Sequence, residues 1–201
     1  MPLIVFEGID GCGKTTQADL LCARFDAQGQ PYRRLREPGG TVLGEAIRRV
    51  LLDTATRACP VAELFGYLQA RAQLCEEILR PALSAGELVL LDRFWYSTIS
   101  YQAWGLGLEP ELVLAANRLA IGDLTCDLAL WFDVDPAVSA ARRSTQRPDR
   151  IEARGDAYLA RVRAGYDALC ADGELRRIDA ERPREVICAE VWELVSSLLA
   201  E

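Results

Sequence analysis

The order of elements predicts an α/β fold, a five-stranded parallel sheet flanked by helices in a three-layer arrangement. Two observations carry that expectation. Leu3-Ile4-Val5-Phe6 is an apolar, β-branched run that reads as a buried strand, and it leads through a glycine-rich loop into a stretch with helical spacing. Further apolar strands at residues 87–91 and 128–134, with short strands at 31–35 and 175–178, alternate with helical stretches, the pattern that winds a parallel sheet. With 201 residues, half of them hydrophobic, the chain suits one core, and one domain is expected over 1–201.

The loop after the first strand is Gly8-Ile9-Asp10-Gly11-Cys12-Gly13-Lys14-Thr15, which fits G-x-x-x-x-G-K-[ST], a phosphate-binding P-loop. Its glycines let successive N–H groups converge on one point, and the following helix aims its positive end there. Lys14 is the chain's only lysine; every other basic residue is arginine, so a compact ammonium is kept only where this motif places it. Candidate ATP-binding residues are Gly8, Ile9, Asp10, Gly11, Cys12, Gly13, Lys14, Thr15 and Thr16. Cys12 reads either as a small filler of the loop or as a reactive thiol at a helix start.

A net charge of −7 argues against general binding to nucleic acid or a membrane surface, so an anionic ligand needs a local arginine cluster. No basic and apolar leader and no run of 18 apolar residues is visible, which predicts no membrane partner and a cytoplasmic location. Seven cysteines without a C-x-x-C pair read as reduced thiols. The absence of histidine excludes Ser-His-Asp and Cys-His catalysis and leaves acid–base work to carboxylates.

In chain order, residues 16–25 space Leu20, Leu21 and Phe25 as a helix. The second strand ends in Arg36-Glu37-Pro38-Gly39-Gly40-Thr41, either a surface turn or a ligand loop at the carboxyl edge of the sheet. Residues 43–52 are helical, with Ile47, Val50 and Leu51 on one face. Residues 61–83 form a long helical stretch with Pro81 near its end, in which Tyr67 and Arg71 share a face. That pair is a plain surface contact or a site that stacks a base and holds a phosphate. The strand at 87–91 ends in Asp92-Arg93, with Asp92 at a position suited to Mg²⁺. The segment 94–102 interleaves aromatic rings with hydroxyl and amide groups, as a nucleobase pocket or a buried helix start would. After the strand at 128–134, Asp135-Pro136 opens a helix. Arg142, Arg143, Arg147 and Arg150 then form either a solvated charged face or an anion trap in a lid over 142–154. Helices at 158–169 and 186–199 flank the last strand.

The residues quoted so far resemble the bacterial type of the thymidylate kinase (dTMP kinase) family along nearly the whole chain. The signatures are Phe6 to Gln17, Arg36-Glu37-Pro38-Gly39-Gly40-Thr41, Ala70-Arg71-Ala72-Gln73, Asp92-Arg93 with Ser97 and Tyr101-Gln102, and Asp149-Arg150-Ile151-Glu152. The resemblance implies a P-loop NTPase-type nucleoside monophosphate kinase fold, phosphoryl transfer from ATP to dTMP with Mg²⁺, and a homodimer. It implies that Asp10 meets the sugar 3′-hydroxyl, that Arg36 and Arg93 grip the acceptor phosphate, and that Arg71 bridges phosphate and base. Tyr67, where the family usually has phenylalanine, would stack on thymine; Ser97, Thr98 and Gln102 would read or line the base, with Leu52 among the dTMP contacts. Tyr101 would crowd out a 2′-hydroxyl. The implied catalytic set is Lys14, Asp10, Arg93, Arg147 and Arg150, and the implied metal ligands are Thr15 and Asp92. Trp95-Tyr96 is bulkier than the family pattern, and Cys12 stands where one branch has arginine. Deoxynucleoside kinases, which phosphorylate a sugar hydroxyl, and a non-catalytic nucleotide sensor are the alternatives. A GTPase switch is excluded, because its Asn-Lys-x-Asp motif needs a second lysine.

Overall fold

A computed structural model describes residues 2–144 and 150–200. In chain order the elements are β1 (Leu3–Glu7), α1 (Lys14–Gln28), β2 (Arg33–Arg36), α2 (Val42–Leu52), α3 (Pro60–Leu74) and, beyond a π-helical turn at Cys75–Leu79, α4 (Arg80–Ser84). There follow β3 (Val89–Asp92), α5 (Trp95–Thr98), a second π-helical segment at Ile99–Gly105, and α6 (Pro110–Ile121). The chain closes with β4 (Leu128–Asp133), α7 (Pro136–Arg142), α8 (Asp156–Ala171), β5 (Arg176–Asp179) and α9 (Arg184–Ala200).

The five strands form one parallel sheet in the order β2-β3-β1-β4-β5. β1 is buried at every position because its neighbours and the helices cover both faces, which is why it reads as a continuous apolar run. The edge strands β2 and β5 are short and largely exposed, with arginines where the central strands carry aliphatics. From β1 the chain moves toward β2, and from its neighbour β3 it moves the other way to β4. Their carboxyl-end loops therefore part and leave a crevice, the usual ligand site of such sheets.

Two expectations about helices need correction. The stretch 61–83 is not one regular α-helix. Its wide turn at Cys75–Leu79 includes Glu77, whose carbonyl the ring of Pro81 would strike in an unbroken α-ladder. On α2 the buried positions are Gly44 and Leu51, whereas Val50 is 59 % exposed and points away from the core.

Asp133, at the end of β4, ties α8 and β5 to the sheet. Arg163 reaches it through Nε at 2.7 Å and Nη2 at 3.0 Å, and Arg177 through Nε at 3.0 Å. Burial works against its charge, but the two arginines outweigh burial and hold its pKa below the usual 3.8. The stabilisation is present in full above 3.8 and is lost as pH falls through the lower folded value. Asp133→Asn should therefore lower stability at pH 7 by about 1–3 kcal/mol and change it little near the acid end. Urea midpoints followed across pH check this; an equal deficit at every pH would refute it.

Candidate active site

A cleft of about 1260 Å³ runs along the carboxyl ends of the strands, above the few hundred to roughly 1000 Å³ that hold one small molecule. Its floor is the P-loop, of which Asp10 to Thr16 line the cleft while Gly8 and Ile9 lie beneath. Gly13 precedes α1 at φ 100°, and no side chain caps the helix. The first N–H groups of α1 thus face the cleft, an anion site by geometry. α7 leans on the loop: Ser139 Oγ donates to the Asp10 carbonyl, and a Cβ on Gly11 would lie 2.8 Å from Arg143 Nε. Lys14 is buried, with Nζ donating to the carbonyls of Gly8 at 2.8 Å and Ile9 at 3.1 Å. Cys12 is also buried, its sulfur 3.7 Å from that ammonium, which makes it a filler of the loop.

Against the P-loop, at the end of β3, Arg93 is the one non-glycine residue at positive φ (71°) among the described residues, a strain of about 1–3 kcal/mol that surrounding contacts must hold. Its backbone N–H donates to Phe6 O at 2.9 Å, which fixes the turn off β3. The guanidinium donates to Asp10 Oδ1 at 2.8 Å and to Ser97 Oγ at 3.2 Å, and lies over the Tyr101 ring at 5.2 Å. For Asp10, burial opposes ionisation, but the charges of Arg93 and Lys14 and the Arg93 hydrogen bond hold its pKa far below the carboxylate range. The Tyr101 hydroxyl is buried without a hydrogen-bond partner among the described residues, and burial raises its pKa strongly.

Three expected base or phosphate contacts, Arg71, Ser97 and Thr98, line the cleft with hydrogen bonds already engaged within the protein. Ser97 lines the cleft, but its one proton goes to Glu7 Oε2 at 2.6 Å while its oxygen accepts from Arg93. Glu7, fully buried at the end of β1, also accepts from Phe94 N at 2.7 Å and Tyr166 OH at 2.8 Å. Ser97 therefore positions Arg93 and has no proton for a base. Arg71, 1 % exposed, donates all five of its N–H groups within the protein: to Glu37 Oε2 from Nε and Nη2, to Thr98 Oγ1 and Asn117 Oδ1 from Nη1, and to Phe94 O from Nη2. It braces the loop after β2 against α5 and α6 and holds no donor in reserve for a phosphate. Thr98 is buried as its acceptor.

Arg36 lines the cleft and is paired with Glu45 at 3.1 Å, a solvent-exposed pair that anions can displace. Leu52, Tyr67 and Gln102 line the same cleft. Trp95 and Tyr96 do not; they stack on one another at 4.1 Å away from it. Sequence reading missed Arg48, which lines the cleft with Nη1 donating to Pro38 O at 3.0 Å. Burial and then the charge of Arg36 lower its pKa, the mark of a cation crowded by another. Its position four residues from Gly44 and three from Leu51 puts it on the inward stripe of α2, and that spacing was the available signal.

In the lid region, Arg142 and Arg143 line the cleft beside the P-loop. Arg147 lies outside the described residues. Arg150, expected at the transferring phosphate, is turned instead toward α2 and α3, with Nε donating to Leu51 O at 2.7 Å and Nη2 2.8 Å from Glu63 Oε2. Arg182 and Arg184, also missed, line the cleft after β5. Their run, Ala180-Glu181-Arg182-Pro183-Arg184, sits on the same carboxyl edge as the other loops.

Asp92 Oδ1 is buried with no hydrogen-bond partner among the described residues, and both Asp92 and Thr15 line the cleft. A carboxylate oxygen with an open lone pair beside a hydroxyl and a phosphate loop suits a small hard cation that keeps several waters.

With the geometry in view, comparison with known proteins is direct. A family model described as thymidylate kinase matches residues 6–191. The thymidylate kinase of Synechococcus sp. strain RCC307 is 44% identical over 199 residues, covering 96% of this chain and 94% of that protein. That of Desulforudis audaxviator strain MP104C is 43% identical over 202 residues, covering 98% and 91%. Among solved structures, thymidylate kinase from Ehrlichia chaffeensis superposes with a TM-score of 0.77 at 31% identity, covering 96% of this chain and 98% of that one.

Proposed function

The chain belongs to the thymidylate kinase family and is an ATP-dependent nucleoside monophosphate kinase; we propose that it transfers the γ-phosphoryl group of ATP to dTMP, giving dTDP and ADP. The observation that carries the acceptor assignment is Arg93, strained in backbone and held in the cleft by Asp10 of the P-loop and by Ser97. With Arg36 and Arg48 it forms a cationic end that suits an acceptor already bearing a phosphate.

In this reading Lys14 and the α1 N–H groups hold the ATP phosphates, while Arg142 and Arg143 reduce the charge over them. Arg36, Arg48 and Arg93 orient the dTMP phosphate for in-line attack. Asp10, ionised and fixed by Arg93, meets the sugar 3′-hydroxyl. Tyr67 stacks on the base, Gln102 reads it, and Tyr101 fills the space a 2′-hydroxyl would need. Phosphoryl transfer is chiefly positioning and charge neutralisation, so a site without histidine suffices. Thr15 and Asp92 fit a Mg²⁺ ion, which when bound neutralises charge on the phosphate oxygens. One domain over 1–201 belongs to the same reading, as does a lid around 142–154, of which 145–149 lie outside the described residues. So does a cytoplasmic location: all seven cysteines are free thiols, and among the described residues no helix is long and apolar enough to cross a membrane.

ADP release from ATP and Mg²⁺ tests the assignment, with thymidine, dTMP, dUMP, dCMP and dGMP in parallel. We expect dTMP to be the best acceptor and Arg93→Ala to lower kcat/KM for it by about 100-fold or more. Turnover of thymidine but not dTMP would make this a nucleoside kinase, and ATP binding without turnover would make it a sensor.

The homodimer has its own support. α3 packs between α2 and α6, and on this side Val50, Val61, Phe65, Leu112 and Leu119 are 47–88% exposed. So large an apolar face on adjoining helices is what a dimer covers. Sedimentation should give a dimer, and Phe65→Glu a monomer at the same micromolar loading; a monomeric parent chain would refute this.

A further inference from the structure

Three side chains from two distant parts of the chain meet at one carboxylate. Glu63, on α3 and fully buried, accepts Gln102 Nε2 at 3.0 Å on Oε1. Arg154 reaches both of its oxygens, at 3.1 and 2.5 Å, and Arg150 Nη2 lies 2.8 Å from Oε2. Burial opposes the charge on Glu63, but Arg154, Gln102 and Arg150 together hold its pKa below the carboxylate range.

An ionised carboxylate can only accept hydrogen bonds. A primary amide beside it must present its NH₂, because its own carbonyl oxygen would face a second acceptor. The Gln102 amide is thereby deprived of its usual freedom to turn over, and its Oε1 is the atom left for the cleft that Gln102 lines. Thymine and uracil carry an N–H at N3, whereas cytosine carries a lone pair there. A fixed carbonyl oxygen attracts the first and repels the second, and a buried polar mismatch of this kind is a strong discriminator.

We propose that Glu63 is a positioning residue for base choice: by locking the Gln102 amide with its carbonyl toward the base, it admits pyrimidines with an N3 proton and rejects cytosine. Arg150 and Arg154 serve this by keeping Glu63 charged. The proposal rests on the reading of Gln102 as the base-contacting amide.

The test is the ratio of kcat/KM for dTMP over dCMP. In Glu63→Gln the neighbour can donate as well as accept, so Gln102 can turn over and the ratio should fall about tenfold or more. In a Gln102→Met background the same substitution should change the ratio by less than about twofold. A ratio retained in Glu63→Gln, or an equal fall in both backgrounds, overturns the role of Glu63 alone. A parent protein that does not prefer dTMP to dCMP overturns the base reading by Gln102 and this proposal with it, while kinase activity on either nucleotide leaves the broader reading standing. A second measurement needs no folded Glu63 variant: in parent protein labelled with ¹⁵N-glutamine, the Gln102 side-chain amide protons should exchange slowly with water, with and without dTMP. Exchange as fast as that of a surface glutamine overturns the locked amide.

Discussion

Lys14→Met should lower kcat for phosphoryl transfer by about 1000-fold or more while the protein stays folded. The methionine keeps the length and apolar stem of the lysine. It removes the one ammonium that the loop holds between the carbonyls of Gly8 and Ile9. Two charge-assisted hydrogen bonds are lost, but so is the penalty of burying a charge, and the melting temperature should move by only a few degrees. ATP binding should persist within roughly tenfold, because the α1 N–H groups and the glycine backbone of the loop remain. The deficit should therefore fall on kcat and not on KM for ATP, which is what an interaction strengthened in the transition state gives. Steady-state kinetics beside equilibrium nucleotide binding separate the two, and a loss confined to KM would assign Lys14 to ground-state binding. With no other lysine in the chain, an amine-directed nucleotide analogue has one side chain to modify, and protection by ATP reports on the same atom.

What sequence reading recovers are features whose physics is local. The P-loop is a backbone device set by glycine spacing, and Arg93 announces itself as a charge at the end of an apolar strand. The central strands are legible because they are buried on both faces; β2 and β5 are less so, since at a sheet edge the apolar signal thins to single positions. What stays hidden is how polar side chains spend their hydrogen bonds. Ser97 is claimed by Glu7, 90 residues earlier, and Arg150 by the Leu51 carbonyl, 99 residues earlier, and by Glu63. Nothing near Ser97 or Arg150 in the chain signals those partners, and a ligand role is therefore what the sequence predicts for both. Arg48 shows the opposite case. Its signal is local, a cation on the inward stripe of α2 set by Gly44 and Leu51.

Arg71→Met should destabilise the protein by about 3–5 kcal/mol, because it strands the buried carboxylate of Glu37 without its counter-charge. Both partners are essentially excluded from water, with side-chain exposures of 1% and 3%, and the loss extends to Thr98, Asn117 and the Phe94 carbonyl. For a chain of this length that is a fall in melting temperature of roughly 10 °C or more. Burial already raises the Glu37 pKa, with Arg71 opposing it. Without Arg71 the folded value rises further above the unfolded 4.5, so the deficit should grow as pH rises through that window and shrink in acid, where a neutral carboxyl is buried more cheaply. Glu37→Gln combined with Arg71→Met should recover part of the loss, since it removes the stranded charge. Melting curves of the single and double variants across pH carry the test. If Arg71 were instead a grip for dTMP, the single variant would keep its melting temperature and raise KM for dTMP, and Glu37→Gln would rescue nothing.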